Sequence, residues 1–527
     1  MFRPDTKWLV TIAVALSMAT SCSDVPVQPK SDITSANIFS DPSSYKAFIA
    51  KIYGGLVLTG QAGPDGNADI AGIDEGFSQY MRNFWYLNEL TTDEAIVGWG
   101  DIGLPELNQQ TWSASNPFVN AMYSRIYYQV ALVNQFLRET TDAKLSSRGV
   151  SADIQQQVHQ YRAEARFLRA YSYWHAVDMF GNVPFADENT SIASLPLQET
   201  RTEVFNYVES ELKAIRPLLP AKSVGDQYGR ASQAAVDMLL AHLYLNAKVY
   251  TGTDRYADAR AAAEAVIGAG FTLDPNYRHL FMADNNTSPE LIFTIPQDGL
   301  HTRTWGGMTT LVHAAVGGSM NASDFGIDGG WWGFRLRSPV PARFAAEPAG
   351  SDVRRSIIWT DAQKSSVASD YGDFGFGYLF PKFTNVKSTG GSGSNASFPD
   401  TDYPVFRLAD AYLIYAEAVA RGAGGNRATA VSYVNALRER AYGSTAGDIV
   451  DTDLTPQFVL DERGRELTWE GFRRQDLIRF GQFSDAGIWE WKGAVPAGKV
   501  TDKTRDLYPI PANELSANPN IKQNPGY

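Results

Sequence analysis

The sequence predicts a mainly α-helical protein in which tetratricopeptide-like helical repeats support an irregular, loop-rich half that carries the ligand-binding face. Three observations predict it. Apolar residues recur at three- and four-residue spacing near 42–56, 117–139, 152–180, 201–216, 231–250, 255–268, 407–421, 427–442 and 456–480, the spacing that lines one face of a helix. Two stretches join such segments in pairs, with alternating alanine and tyrosine where the helices would touch, as in tetratricopeptide repeats. Residues about 57–116 and 270–405 interrupt the pattern with Gly, Asn, Asp, Trp and Pro, and insertions into a repeat scaffold usually gather on one face.

The elements follow in chain order. Arg3 and Lys7 precede an apolar run at 8–18, and Ala19, Thr20 and Ser21 lead to Cys22, the only cysteine. A short basic region, a short apolar region and small residues read as a secretory signal peptide over 1–21, too short to span a bilayer. A cysteine at the next position can be acylated, and two or three acyl chains anchor stably where one is marginal; the alternative is an accidental free thiol near a cleavage site. Ala19 stands where such signals usually carry leucine. The chain is apolar-poor from Cys22 to about Lys30, and residues 22–40 read as a lipidated tether. Residues 41–527 then read as a single domain, with helical repeats about 117–268 and 407–480 and the loop-rich half about 57–116 and 270–405.

In the first repeat pair Ala241, Tyr244, Ala247 and Tyr250 face Tyr256, Ala259, Ala263 and Val266 across a Thr-Gly-Thr-Asp turn. In the second, Ala411, Tyr415 and Ala418 precede a Gly-rich turn, and Ala430, Val434 and Leu437 follow it. The pairs at 117–180 match more weakly.

Composition narrows the function. With 44% hydrophobic and 20% charged residues the chain is globular. Its net charge of −12 becomes one unit more negative without residues 1–21, which argues against nucleic acid or anionic membrane surfaces as partners. The six histidines form no H-x-x-H pair. Gly390-Gly391-Ser392-Gly393-Ser394 lacks the final glycine of a nucleophile elbow and reads as a flexible loop. Asp93-Glu94 and Glu466/Glu470 are nominal carboxylate pairs for sugar hydrolysis. Glu462, Glu466 and Glu470, however, interleave with Arg463, Arg465, Arg473 and Arg474 on one predicted helix, a pattern of structural ion pairing.

Twelve tryptophans are more informative, because several sit among glycines: Gly98-Trp99-Gly100, Trp305-Gly306-Gly307 and Gly329-Gly330-Trp331-Trp332-Gly333. Such neighbours favour loops. An indole face shown in a loop suits the C–H face of a sugar ring, with Asp74, Arg82 and Asn321 as polar neighbours. Equally, these rings can fill a core of the loop half, while Trp174, Trp469 and Trp489 lie in helical patterns and read as core. Asp284-Asn285-Asn286 and Phe398-Pro399-Asp400-Thr401-Asp402 are oxygen-rich loops of a kind that can hold calcium or simply cap turns.

Six stretches carry a family resemblance: NELTTDEAI (88–96), AEARFLRAYSYWHAVDMFGNVPF (163–185), GRASQAAVDMLLAHLYLNAKVYTG (229–252), YPVFRLADAYLIYAEA (403–418), ERGRELTWEGFRRQDLIRFGQF (462–483) and YPIPANELSANPNIKQNPGY (508–527). The chain resembles the SusD/RagB family, surface lipoproteins of Bacteroidetes that pair with a SusC-like TonB-dependent outer-membrane transporter and capture nutrients for it. The segments at 55–76, 280–285, 297–307 and 399–402 are similar to the family's starch-binding branch, in which an aromatic arc holds the helical turn of an α-glucan. The resemblance implies a SusD-like fold, no catalytic activity and a lipid anchor on Cys22 at the outer membrane, facing outward. It implies binding of starch or maltooligosaccharide through Asp74, Arg82, Trp99, Trp305 and Trp331. Trp305 stands where that branch has tyrosine, and Asp101 is nearest to where it has asparagine. A structural calcium is implied at Asn286, Asp400 and Asp402, with Asn286 replacing an acid. Another glycan or peptides are the alternative ligands, and glycoside hydrolysis a more distant reading.

Overall fold

The computed structural model describes residues 38–39, 41–64, 68–348 and 352–527. Cys22, the expected leader over 1–21 and most of the expected tether lie outside the described residues. The chain divides into two compact units, Met1–Ser44 and Tyr45–Tyr527. Of the first, the described residues are the few that lead into helix α1 (Ser43–Val57). The second holds everything below. Among the described residues, no helix is long and apolar enough to cross a membrane.

The protein is mainly helical, and its long helices begin where local chemistry starts them. Helix α2 (Tyr80–Trp85) runs on into a π turn at Tyr86–Leu90. Helix α3 (Pro117–Glu139) has Asn116 accepting from the Phe118 and Val119 amides, with proline at the first helical position. Helix α4 (Ala152–Phe180) packs back along it. Helix α5 (Arg201–Ile215) opens on a capping box between Thr200 and Glu203. Helix α6 (Gln233–Leu245) is capped by Ser232, and helix α7 (Tyr256–Ile267) folds against it. The predicted single helix at 231–250 is interrupted at Asn246 and resumes over Ala247–Thr251.

Three features differ from the sequence expectations. First, the repeat array is broken in sequence but continuous in space: α7 packs directly on helix α9 (Leu408–Ala420), and α9 on helix α10 (Arg427–Tyr442). The whole 270–405 segment loops out between two neighbouring helices. Second, that segment and 57–116 are not wholly irregular. They contain α2 and helix α8 (Gly307–Ala314), and strand β1 (Ala95–Val97) pairs antiparallel with strand β3 (Phe334–Leu336). Strand β2 (Leu291–Ile295) pairs with strand β4 (Tyr403–Arg407). Elements this short are below the length at which a 3.6-residue period can be read.

Third, the predicted helix at 456–480 is two helices, α11 (Pro456–Glu466) and α12 (Arg473–Arg479). Between them Trp469 and Gly471 have φ of 65° and 85°. The break turns the Trp469 indole into the core, edge-on to Trp85, Phe334 and Phe380 at 5.5, 6.0 and 5.2 Å. Two backbone groups freed there find partners: Trp85 Nε1 donates to the Trp469 carbonyl (2.9 Å), and the Gly471 amide donates to Glu89 (2.6 Å). A Cβ on Gly471 would sit 2.4 Å from Phe84. Trp174, Trp469 and Trp489 are all buried, as expected.

The interleaved charges of 462–474 are structural. Arg407 reaches Glu466 (2.7 Å), Glu470 (2.7 Å) and Glu290 (2.8 Å), Arg354 reaches Glu462 (2.7 Å), and Lys382 reaches Glu470 (2.6 Å). All are buried. Asp93 and Glu94 are likewise held, by Arg473 at 2.7 Å and Arg343 at 2.7 Å respectively.

Candidate functional site

Antiparallel pairing builds one wall of the site. Val97 opposes Phe334 at the end of the β1–β3 ladder, so residues just after β1 lie beside those just before β3. Trp99 therefore comes to rest over Gly333, where a Cβ would be 2.5 Å from its Cζ2. The 331–333 segment is pinned to the C-terminal end of α8: the amides of Trp331, Trp332 and Gly333 donate to the carbonyls of His313 (2.8 Å), Val316 (3.1 Å) and Ala314 (3.0 Å). Gly330 is needed here, because a Cβ would lie 2.3 Å from the Val316 carbonyl oxygen.

Helix α8 carries Trp305 just before its other end. The backbone after Trp305 presses on Gln79, and a Cβ on Gly306 would meet it at 2.3 Å. Trp305 and Trp331 stand 6.4 Å apart with their planes tilted by 49°. Phe398 backs Trp305 at 4.8 Å, and the His313 ring stacks under Trp331 at 4.9 Å. His313 Nδ1 lies 2.7 Å from the Gly329 carbonyl and Nε2 3.1 Å from that of Ser397, so the ring sits between the loops bearing Trp331 and Phe398 and, when neutral, donates to one of the two carbonyls. Burial holds its pKa below the usual imidazole range. Trp99, Trp305 and Trp331 are each half-buried.

Arg82 supports this surface from α2, which packs against α8. It is only 6% exposed. Its Nε donates to Tyr86 (3.0 Å), and Nη1 to the Gly76 carbonyl (3.1 Å) and, at 3.5 Å, the Trp305 carbonyl. Nη2 has no acceptor among the described residues. The guanidinium also lies 4.9 Å from the Phe77 ring centre and 5.2 Å from that of Tyr86. Asp74 is exposed, accepts from the Phe77 amide (2.9 Å), and borders Gly76 together with Arg82 and Trp305. Asp101 is close enough to Tyr86 to act on it: burial pushes the Tyr86 hydroxyl up, Arg82 opposes that, and Asp101 adds to the rise.

The structure thus brings Asp74, Arg82 and Trp305 together around Gly76, Trp331 against Trp305, Trp99 over the neighbouring Gly333, and Asp101 near Tyr86. Asn321 is not joined to them; it bonds Asp324 within its own turn (3.1 Å). Tyr86, Phe398 and His313 are supporting residues that sequence reasoning missed. Tyr86 alone had a legible signal, four residues after Arg82 on one helix face.

At the position where the resemblance implies calcium, Asp400 and Asp402 are held by hydrogen bonds to neighbouring loops. Asp400 accepts from the Gly299 amide (2.8 Å) and from the Ser394 amide and hydroxyl (both 2.6 Å). Asp402 accepts from the Gln297 amide (2.7 Å) and Tyr228 (2.6 Å), while Asn286 is exposed. Among the described residues no three His, Cys, Asp or Glu side chains converge as a metal site. Burial raises the Asp402 carboxyl to about 6.

Fold and cluster together define a helical-repeat scaffold that presents an aromatic surface from loops inserted between its helices. The chain belongs to the SusD family. Residues 355–527 match the model described as the SusD family, and residues 31–245 one described as starch-binding, associating with the outer membrane. The chain is 34% identical to the starch-binding protein SusD of Bacteroides thetaiotaomicron, over 98% of this chain and 97% of that one. It is 27% identical to the SusD-like protein P2 of Formosa agariphila, over 99% and 100%. Among solved structures, the surface glycan-binding protein A of B. thetaiotaomicron in complex with laminarihexaose shares the fold, with a TM-score of 0.70 at 20% identity over 92% of this chain and 99% of that one.

Proposed function

We propose that this protein is a non-catalytic lipoprotein of the outer membrane, anchored through Cys22 and facing outward, that captures starch or maltooligosaccharides for a SusC-like TonB-dependent transporter. The observation that carries the glycan reading is the tilt between Trp305 and Trp331. Two half-exposed indoles at 49° follow a curved ligand, such as the turn of an α-glucan, and would leave a flat ribbon on one ring only. Trp99 extends the surface, and Asp74, Asp101 and the free nitrogen of Arg82 offer hydrogen bonds to hydroxyls. The 34% identity to a starch-binding protein supports the same ligand. Burial of the Asp93-Glu94 pair against Arg343 and Arg473 supports a binding rather than a hydrolytic role.

Each stacking contributes ~0.5–1.5 kcal/mol by analogy with aromatic pairs, so affinity for one short chain is weak and a polymer gains by avidity. Calorimetry and affinity electrophoresis with amylopectin, α-cyclodextrin and laminarihexaose test this. We expect α-glucan binding that weakens in Trp99→Ala, Trp305→Ala and Trp331→Ala. Parental binding by all three variants would remove this site. Binding of laminarihexaose alone would replace starch by another glycan, and product release from maltoheptaose would make the protein a hydrolase.

A further inference from the structure

Trp332 has a different environment from its neighbour. It is the only tryptophan among the described residues that is mostly exposed, at 55%. Its φ is 55°, a left-handed conformation that is unusual for a bulky residue and persists where the surroundings enforce it. Its amide is held by the Val316 carbonyl (3.1 Å). The ring packs on Phe374 at 5.3 Å, tilted 43°. Both rings rest over Gly317, where a Cβ would come within 2.8 Å of either. Phe374 is itself fixed: Gln363, with its amide nitrogen toward the loop, donates to the Phe374 and Gly377 carbonyls (2.8 and 2.9 Å). Arg335 donates to the Phe376 carbonyl (2.9 Å), its guanidinium 5.5 Å from the Phe374 ring. The Trp332 Nε1–H has no acceptor among the described residues. A rigid, exposed indole with a free donor offers both a stacking face and a hydrogen bond.

Residues 331–333 therefore join three aromatic surfaces in consecutive positions: Trp331 with Trp305, Trp332 with Phe374, and Trp99 over Gly333. We propose that Trp332, backed by Phe374, is a second stacking platform for a neutral oligosaccharide, contacting sugar units that run beyond the turn held by Trp99, Trp305 and Trp331. This rests on the glycan reading above. A merely structural Trp332 would affect stability without regard to ligand length. A platform outside the turn matters only for a ligand that has units there.

The test compares α-cyclodextrin, a closed turn, with amylopectin, whose chains continue. Trp332→Ala weakens amylopectin binding roughly 3–10-fold, as expected for one lost stacking contact, and leaves α-cyclodextrin affinity at the parental value. Trp332→Phe retains most of the affinity, and Phe374→Ala shows a smaller, ligand-length-dependent loss. Trp332→Gly, which keeps the backbone conformation without the ring, behaves as Trp332→Ala. Parental amylopectin binding by Trp332→Ala and Trp332→Gly overturns the platform, as does an equal loss on both ligands. If the parent binds neither ligand, the underlying α-glucan reading fails instead, and if Trp99→Ala, Trp305→Ala and Trp331→Ala all keep parental binding to both, the turn-holding site is removed.

Discussion

Arg82 shows how one side chain can matter at a site mainly by holding it. The fork of its guanidinium spans Tyr86, the Gly76 carbonyl and the Trp305 carbonyl, which fixes the loops of Asp74 and Trp305 relative to α2. A lysine offers a point charge on a flexible stem and cannot span these acceptors. Arg82→Lys is expected to weaken α-glucan binding by roughly 5–20-fold, about 1–2 kcal/mol, with a much smaller loss in Tm, read by calorimetry beside a thermal melt. Asp402 makes a contrasting residue-scale case. Its carboxyl is raised to about 6 by burial, so the folded state resists ionisation that the unfolded chain accepts. The stability it supports is full below pH 4 and is lost as pH rises through 6. Asp402→Asn should therefore gain roughly 1–3 kcal/mol at pH 7 and flatten the pH 4–6 slope in urea melts. Tyr228 can reorient its hydroxyl to accept from the new amide. A large calcium-dependent rise in the parent's Tm, lost in Asp402→Asn, would show instead that a cation binds this cluster.

Between elements, the site depends on a close approach that a single methyl group disturbs. The β1–β3 register carries Trp99 onto Gly333, and an added Cβ there would meet the indole edge at 2.5 Å. The obstacle is the far edge of a half-exposed ring, which can swing outward at little cost to the core. Gly333→Ala should then keep the melting temperature within a few degrees while weakening α-glucan binding and shifting tryptophan fluorescence. A parental affinity would show that Trp99 does not contribute from this position. The break between α11 and α12 behaves differently. There Gly471 abuts Phe84 in the core, so a methyl group meets packed atoms with nowhere to go.

Across the whole molecule, buried charge ties the looped-out half to the repeats. Arg407 from β4 meets Glu466 and Glu470 beside α11 and Glu290 beside β2. Removing it leaves three buried carboxylates short of a partner, a change that typically costs about 3–5 kcal/mol. Arg407→Ala is expected to lower stability by that order in chemical denaturation. Glu466 is desolvated, but Arg440, Arg407 and Arg354 hold its carboxyl down to about 2. A depressed carboxyl gives stability that is present above the unfolded pKa, near 4.5, and is lost as pH falls toward 2. Glu466→Gln should therefore be less stable than the parent at pH 7, with the difference shrinking as pH is lowered from 4.5 to 2. An unchanged gap over that range would assign the stability to packing.

The periodic spacing of Ala, Leu and Tyr by itself determined the long helices, because a 3.6-residue pattern over three or more turns has few other uses. It also determined that the glycine-flanked tryptophans lie in loops, and that Glu462, Glu466 and Glu470 are structural acids. It did not determine that α7 and α9 are neighbours, since about 140 residues separate them. Nor did it show the end of α11, where core packing of Trp469 overrides an otherwise helical pattern. The aromatic surface was legible only as a set of candidates. Its assembly was decided by tertiary structure: the strand register set Trp99, the ends of α8 set Trp305 and Trp331, and the bonds of Arg82, Tyr86 and His313 hold them there. Apart from Tyr86, one helical turn from Arg82, those contacts carry no local sequence mark, because what selects them is distance in space between segments up to hundreds of residues apart.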